Sequence, residues 1–272
     1  MMILRLLAAA CLLLPLLTTG GKAHEFWIEP EKYQVDAGGT VTAQLRNGQG
    51  FKGAPLSWFD RRNRRVEQML GDDVAPITGR PGDIPALSVP ADGDGLMVLV
   101  HESTATLLTY DGWDKVVQFV EHKNFPWFFA RHAERGLPEE GVKEVYTRYS
   151  KALVGVGGAA GADHAAGLAV EFVALNNPYV DPPADGMRVR LLYQGAPLPD
   201  AQVEVYEKAA GEVTVTKLRT GEDGEVVVPI VPGHSYLLDH VVLREPDPDT
   251  EHAAEAMWES LWASMTFAVP AD

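Results

Sequence analysis

Eight histidines are the side chains best suited to chemistry in this chain: His24, His101, His122, His132, His164, His234, His240 and His252. None sits in a tight metal signature such as H-E-x-x-H, so position must select among them. The default for each is a surface residue or a hydrogen-bonded core residue. His24 lies in GGKAHEFWIEP, from Gly20 to Pro30. A peptidase cut after Ala23 would make it the first residue, with an α-amine of ordinary pKa ~7.7–8.0 beside its ring. Amine and ring can then chelate one ion. His101 ends the apolar run VLVHES, where a strand emerges into a loop. His240, in SYLLDHVVL, shares a face with Tyr236, Leu238 and Val242 by strand alternation, and Asp239 points the other way. The expected metal ligands are therefore His24, His101 and His240. Nitrogen donors of this kind suit nickel, cobalt, copper or zinc.

Other chemistries are less well marked. There is no nucleophile elbow, and paired carboxylates are unspecific in so acidic a chain. Trp113, Trp127, Phe128, Trp258 and Trp262 read as core anchors rather than a sugar platform. The basic run Arg61 to Arg65, RRNRR, reads as a solvated loop.

The elements that must position these residues begin with a leader. Arg5 is a short basic region, Leu6 to Leu17 is an almost unbroken apolar run, and Ala23 is a small residue at the cut. This is the pattern of a secretory signal peptide over residues 1–23, implying a periplasmic protein. Removing 23 of 272 residues leaves 249. The leader holds Arg5 and Lys22 and no acid, so the net charge moves from −15 to −17. Such acidity excludes non-specific nucleic-acid binding. Cys11 leaves with the leader, which excludes disulfides and thiolate ligands from the exported chain. No later stretch is apolar enough to span a membrane.

The rest reads as mainly β, two antiparallel β-sandwich domains with a helical insertion in the first. Phe26 to Leu45 reads as strands around a Gly-Gly turn, and APLSWFDRRNRRVEQML as a hairpin with its tip at Asp60 to Arg64. GLMVLVHES reads as a buried strand. Residues 112–153 form the insertion. Trp113, Val116, Val117 and Val120 keep helical spacing until Pro126, and PEEGVKEVYTRYSKAL, residues 138–153, predicts a second helix with acids in its first turn. The first domain spans residues 24–154, a Gly-rich link 155–166, and a C-terminal sandwich 167–272. That sandwich is predicted from short β runs separated by Gly, Pro and Asp turns.

Several stretches together carry a resemblance. HEFWIEP after a signal peptide, YTRYSKALVGVG, FVALNNPYVDPPADGMRVRLLYQGAPLPDAQVEVY and WESLWASMTF resemble a bacterial family of exported domains of unknown function, labelled as a periplasmic component of nickel or cobalt uptake. The cadence GAPLPDAQVEVY…TGEDGEVVVPIVPG is similar to transthyretin-like and carboxypeptidase-regulatory-like sandwiches. The resemblance implies a role in binding a divalent transition metal, with His24 among its ligands and a membrane metal transporter as partner. Two other readings stand beside it. One is a copper-dependent oxidative enzyme using the amino-terminal histidine, as polysaccharide monooxygenases do. The other is a metal-free adhesion or scaffold module.

Overall fold

The computed structural model describes residues 24–271, and the leader expected over residues 1–23 lies outside them. A ten-stranded sheet forms the middle layer. Its path is β15 (Glu212–Arg219), β14 (Gln202–Ala209), β17 (Ser235–Arg244), β18 (Trp258–Ala268), β10 (Lys143–Val156), β8 (Gly95–Ser103), β5 (Asn63–Leu70) and β6 (Asp73–Pro76). Two short strands, β2 (Gln34–Val35) and β9 (Thr106–Thr109), also pair with β10. One face is covered by a four-stranded sheet of β1 (Glu25–Pro30), β3 (Thr40–Gln49), β4 (Lys52–Leu56) and β7 (Leu87–Pro90). The other is covered by β11 (Val170–Ala174), β12 (Met187–Tyr193), β13 (Ala196–Pro197) and β16 (Glu225–Val228). The protein is thus mainly β and layered, with several antiparallel sheets and two helices.

Alternation along β8 shows why the middle strands are so apolar. Leu96, Val98 and Val100 pack with Phe172, Met187 and Leu191 on one side. Met97 and Leu99 pack with Phe26, Ile28 and Val41 on the other. A strand covered on both faces has no solvent side to mark with polar residues. The helices α1 (Trp113–His122) and α2 (Phe128–Glu134) lie on the same face as β1. Val116, Phe119 and Phe128 pack there on Val241, Leu243, Trp258 and Trp262.

Two expectations are corrected. The helix predicted over residues 138–153 is instead β10, which runs parallel to β18 from Glu144 opposite Trp258 to Ala152 opposite Thr266. Its last eight residues are all buried, so burial on both faces replaces the alternation that would have announced a strand. The hairpin expected around Asp60 to Arg64 is a crossing between sheets. β4 pairs with β3, whereas β5 pairs with β8. Residues 155–166 begin in the end of β10 and continue as irregular chain, where Asp163 bonds Lys151 Nζ at 2.8 Å and Ala174 N at 2.8 Å. The ten-stranded sheet takes strands from both sides of this segment.

Candidate functional site

The first sheet meets the middle sheet where β1 begins, and two adjoining cavities open there, each of about 350 Å³. Asn47, Tyr146 and Arg148 line both. The pairing of Phe26 with Asn47 fixes β1 against β3. Gly53 lets β4 approach the same point, since a Cβ there would lie 2.6 Å from Asn47 O and 2.8 Å from the Trp27 ring. His24 stands exposed just before β1 and lines one cavity with Leu108, Tyr110, Phe119 and Trp262. His101 lines the other with Phe26, Asn63 and Ser103.

His101 is 2 % exposed and its ring lies 4.9 Å from that of Phe26. Its Nε2 lies 2.9 Å from Asn63 Oδ1, which can only accept, so Nε2 carries the hydrogen and Nδ1 keeps its lone pair. Burial, aided by the neighbouring Arg148 charge, pushes this imidazole down to about 3, so it stays neutral. Nδ1 has no partner. The same holds for Asn47 Oδ1, Asn63 Nδ2 and Arg148 Nε. Four side chains that line one cavity thus each carry a buried polar atom without a partner. Buried polar groups normally find partners, so this cluster distinguishes the cavity. A larger depression of about 690 Å³ near Glu31, Gln34 and Thr40 contains no such atom.

The structure does not bring His240 to the other two. His101 lies on the face of the middle sheet that meets β1. His240 lies on the opposite face, alternating with Tyr236 and Leu238 of the other core. Its Nδ1 is 2.8 Å from Gln202 O, and burial pushes its pKa down to about 4. Its Nε2 also lacks a partner, but the ring is enclosed beside Tyr236 and Leu238 and lines neither of the two cavities. Among the described residues no three His, Cys, Asp or Glu side chains are placed to hold one metal ion.

A second polar centre lies deeper on the β1 side. Lys123 Nζ sits 2.6 Å from Glu204 Oε2 and 2.7 Å from Asp239 Oδ2, with the Trp262 ring at 5.0 Å. The ammonium fills the position between the carboxylates, and Lys217 Nζ, 3.3 Å from Glu204 Oε1, supplies the second positive charge that balances the pair. Tyr206 Oη lies 2.9 Å from Glu204 Oε2 and 3.0 Å from Glu25 Oε1. Gly50 N donates to Glu25 Oε2 at 2.9 Å. Burial and the charge of Asp239 push Glu25 up to about 7. Nearer the cavities, Glu144 is held by Tyr110 and Ser260, and burial pushes its carboxyl up.

Sequence reasoning singled out His24 and His101 through chain position and strand end, and the structure places them on adjoining cavities. It missed Asn47, Asn63 and Arg148. Polar residues in strands read as a solvent face, and only the covering sheet reveals otherwise. A usable signal for Arg148 was its place in VYTRYSKALVGV, a stretch rich in β-branched and aromatic residues.

A mainly β molecule with a polar double cavity at the start of its first strand is the class that the fold and site define. The chain belongs to the family described as domain of unknown function DUF4198, whose model matches residues 21–243. No curated protein matches it. Among solved structures, it is similar to a tetra-tandem repeat in the extending region of a large adhesion protein. That match has 12 % identity and a TM-score of 0.21, covering 89 % of this chain and 49 % of that one. It is similar at 11 % identity and TM-score 0.20 to a structure described as giving insight into host cell surface retention of a 1.5-MDa bacterial ice-binding adhesin, over 92 % of this chain and 65 % of that one. Fibronectin(III)-like modules of Clostridium thermocellum CbhA match at 11 % identity and TM-score 0.20, over 90 % of this chain and 95 % of theirs. The chain spans about half the length of the first of these and less than two thirds of the second. Superpositions this weak are no measure of shared topology. Among the described residues no helix is long and apolar enough to cross a membrane.

Proposed function

We propose that this chain binds a divalent transition metal, nickel or cobalt, outside the cytoplasm at the His24 end of β1, and delivers it to a membrane transporter. The observation that supports this reading is the free, neutral Nδ1 of buried His101, which lines a cavity adjoining the one lined by His24. A neutral imidazole lone pair is the form that metals take. The α-amine and ring of His24 would supply two further nitrogens once the leader is removed. Asn47 Oδ1, also without a partner, is an oxygen donor on the shared wall. His240 is not part of this set.

The test is calorimetric titration of protein beginning at His24 with nickel, cobalt, copper and zinc. Adding one glycine before His24 moves the amine but keeps the ring, and should weaken binding strongly. His101→Ala should weaken it as well. Equal affinity in the glycine-extended protein would refute the amine as a ligand. Absence of stoichiometric binding by any of the four metals would refute the reading as a whole.

A further inference from the structure

The geometry points to a second ligand: we propose that the double cavity binds a small organic carboxylate with an apolar body, its carboxylate held by Arg148. Arg46, Arg65, Arg190 and Arg244 are the other partly buried arginines of the middle and flanking strands, and each holds a carboxylate. Arg148, equally enclosed, has no carboxylate in contact among the described residues. The one hydrogen bond of its guanidinium among the described residues is a long one, Nη2 to His24 O at 3.4 Å. The guanidinium is held in place instead by two rings, Tyr146 at 4.6 Å and Phe26 at 5.7 Å. Stacking of this kind fixes the plane while leaving the N–H groups free. Asp239, Glu144 and Glu25 act on this guanidinium through space but none touches it, so its N–H groups stay open to an external anion.

The cavity says what that anion is. Arg148 Nε and Asn63 Nδ2 are the donors without partners, enough for the two oxygens of one carboxylate. His101 and Asn47, whose Nδ1 and Oδ1 are buried acceptors without partners, line the same cavity. A carboxylate has two oxygens for those two donors, and inorganic phosphate, whose P–OH hydrogens could meet the acceptors, is the competitor that tests the choice. Beyond the shared wall of Asn47, Tyr146 and Arg148 lies the lining of Leu108, Tyr110, Phe119 and Trp262, which suits a ring or branched aliphatic group. Cavities of about 350 Å³ are within the range that holds small ligands. The bound anion would also offset repulsion between Arg148 and a dication at His24. The inference does not depend on the metal.

The experiment uses protein beginning at His24, stripped of metal with EDTA and titrated with phenylacetate, read by calorimetry and by the change in total tryptophan fluorescence, to which Trp262 on the cavity wall contributes. Saturable binding at millimolar concentration or below is expected. Phenylacetamide, which has the same shape without the charge, should bind at least about ten-fold more weakly, and inorganic phosphate should not compete. Arg148→Gln should lose about ten-fold or more in affinity. If that variant does not fold, Asn63→Ala, checked by circular dichroism, should lose several-fold. No binding of phenylacetate, equal binding of phenylacetamide, or competition by phosphate would each overturn the proposal. Metal titration of the same protein is scored separately, so failure of one does not entail failure of the other.

Discussion

Replacing Glu25 by glutamine should make the protein less sensitive to rising pH, and the size of the effect follows from its surroundings. Tyr206 has one hydroxyl hydrogen but two carboxyl neighbours, Glu204 Oε2 at 2.9 Å and Glu25 Oε1 at 3.0 Å. Both contacts are hydrogen bonds only if one carboxyl carries a proton. Although burial works against it, Glu204 is held below the usual carboxylate range by His122 and Lys123. The proton therefore belongs to Glu25, which donates to Tyr206 while Tyr206 donates to Glu204. Burial and Asp239 raise Glu25 from the ordinary 4.5 to about 7, a gap equivalent to about 3 kcal/mol. The folded form keeps a proton that the unfolded chain has already released, so the stabilisation is full below 4.5 and is lost as pH rises through about 7. In Glu25→Gln the side-chain amide would accept from Gly50 N and donate to Tyr206 without titrating. Urea unfolding of both proteins across pH, followed by tryptophan fluorescence, should show the difference moving by about 3 kcal/mol in favour of the variant between acid and mildly alkaline pH. Groups common to both proteins cancel in that difference. A difference that stays constant with pH would show that Glu25 is ionised in the folded protein and that the hydrogen-bond chain runs the other way.

Two further outcomes are expected. Asp163→Ala should cost about 3 kcal/mol in denaturant unfolding, because it leaves the buried Lys151 ammonium with only His164 O at 3.0 Å and Glu171 at 3.6 Å; a loss below the error of the measurement would show that those two suffice. Gly53→Ala should destabilise by about 1–3 kcal/mol, since its methyl would press on Asn47 O and the Trp27 ring; it should also weaken phenylacetate binding through displacement of Asn47, and unchanged affinity would count against that wall.

The strands flanked by polar turns were legible because one side faces water or a turn breaks them. β15 comes straight from alternation, whereas β14 and β17 come from runs rich in Val, Tyr and Leu bounded by Gly, Pro and Asp turns, since β17 is buried on both faces. β10 was not legible, because a strand covered on both faces shows no period of two, and the acids at Glu139 and Glu140 imitate the first turn of a helix. Strand membership was also easier to read than sheet membership. Nothing local in Lys52 to Leu70 says that β4 and β5 belong to different sheets. The same limit applies to the site. His101 was found from its strand end, but its separation from His240 depends on which face of a shared sheet each residue occupies. Residue alternation fixes faces within one strand and leaves their relation between distant strands to tertiary pairing.

The placement of β18 governs the order in which this molecule can assemble. Its eleven residues lie between β17 and β10, in the interior of the widest sheet. A nascent chain that has not yet produced Trp258 therefore holds two long strands with facing edges open. Such edges are templates for pairing with other chains. The partner of Glu144 is Trp258, more than a hundred residues later, so the loop that must close is long and its closure is slow. Chains interrupted before this strand should aggregate rather than persist as half-molecules, and a chaperone that shields open edges would raise the yield of the intact protein.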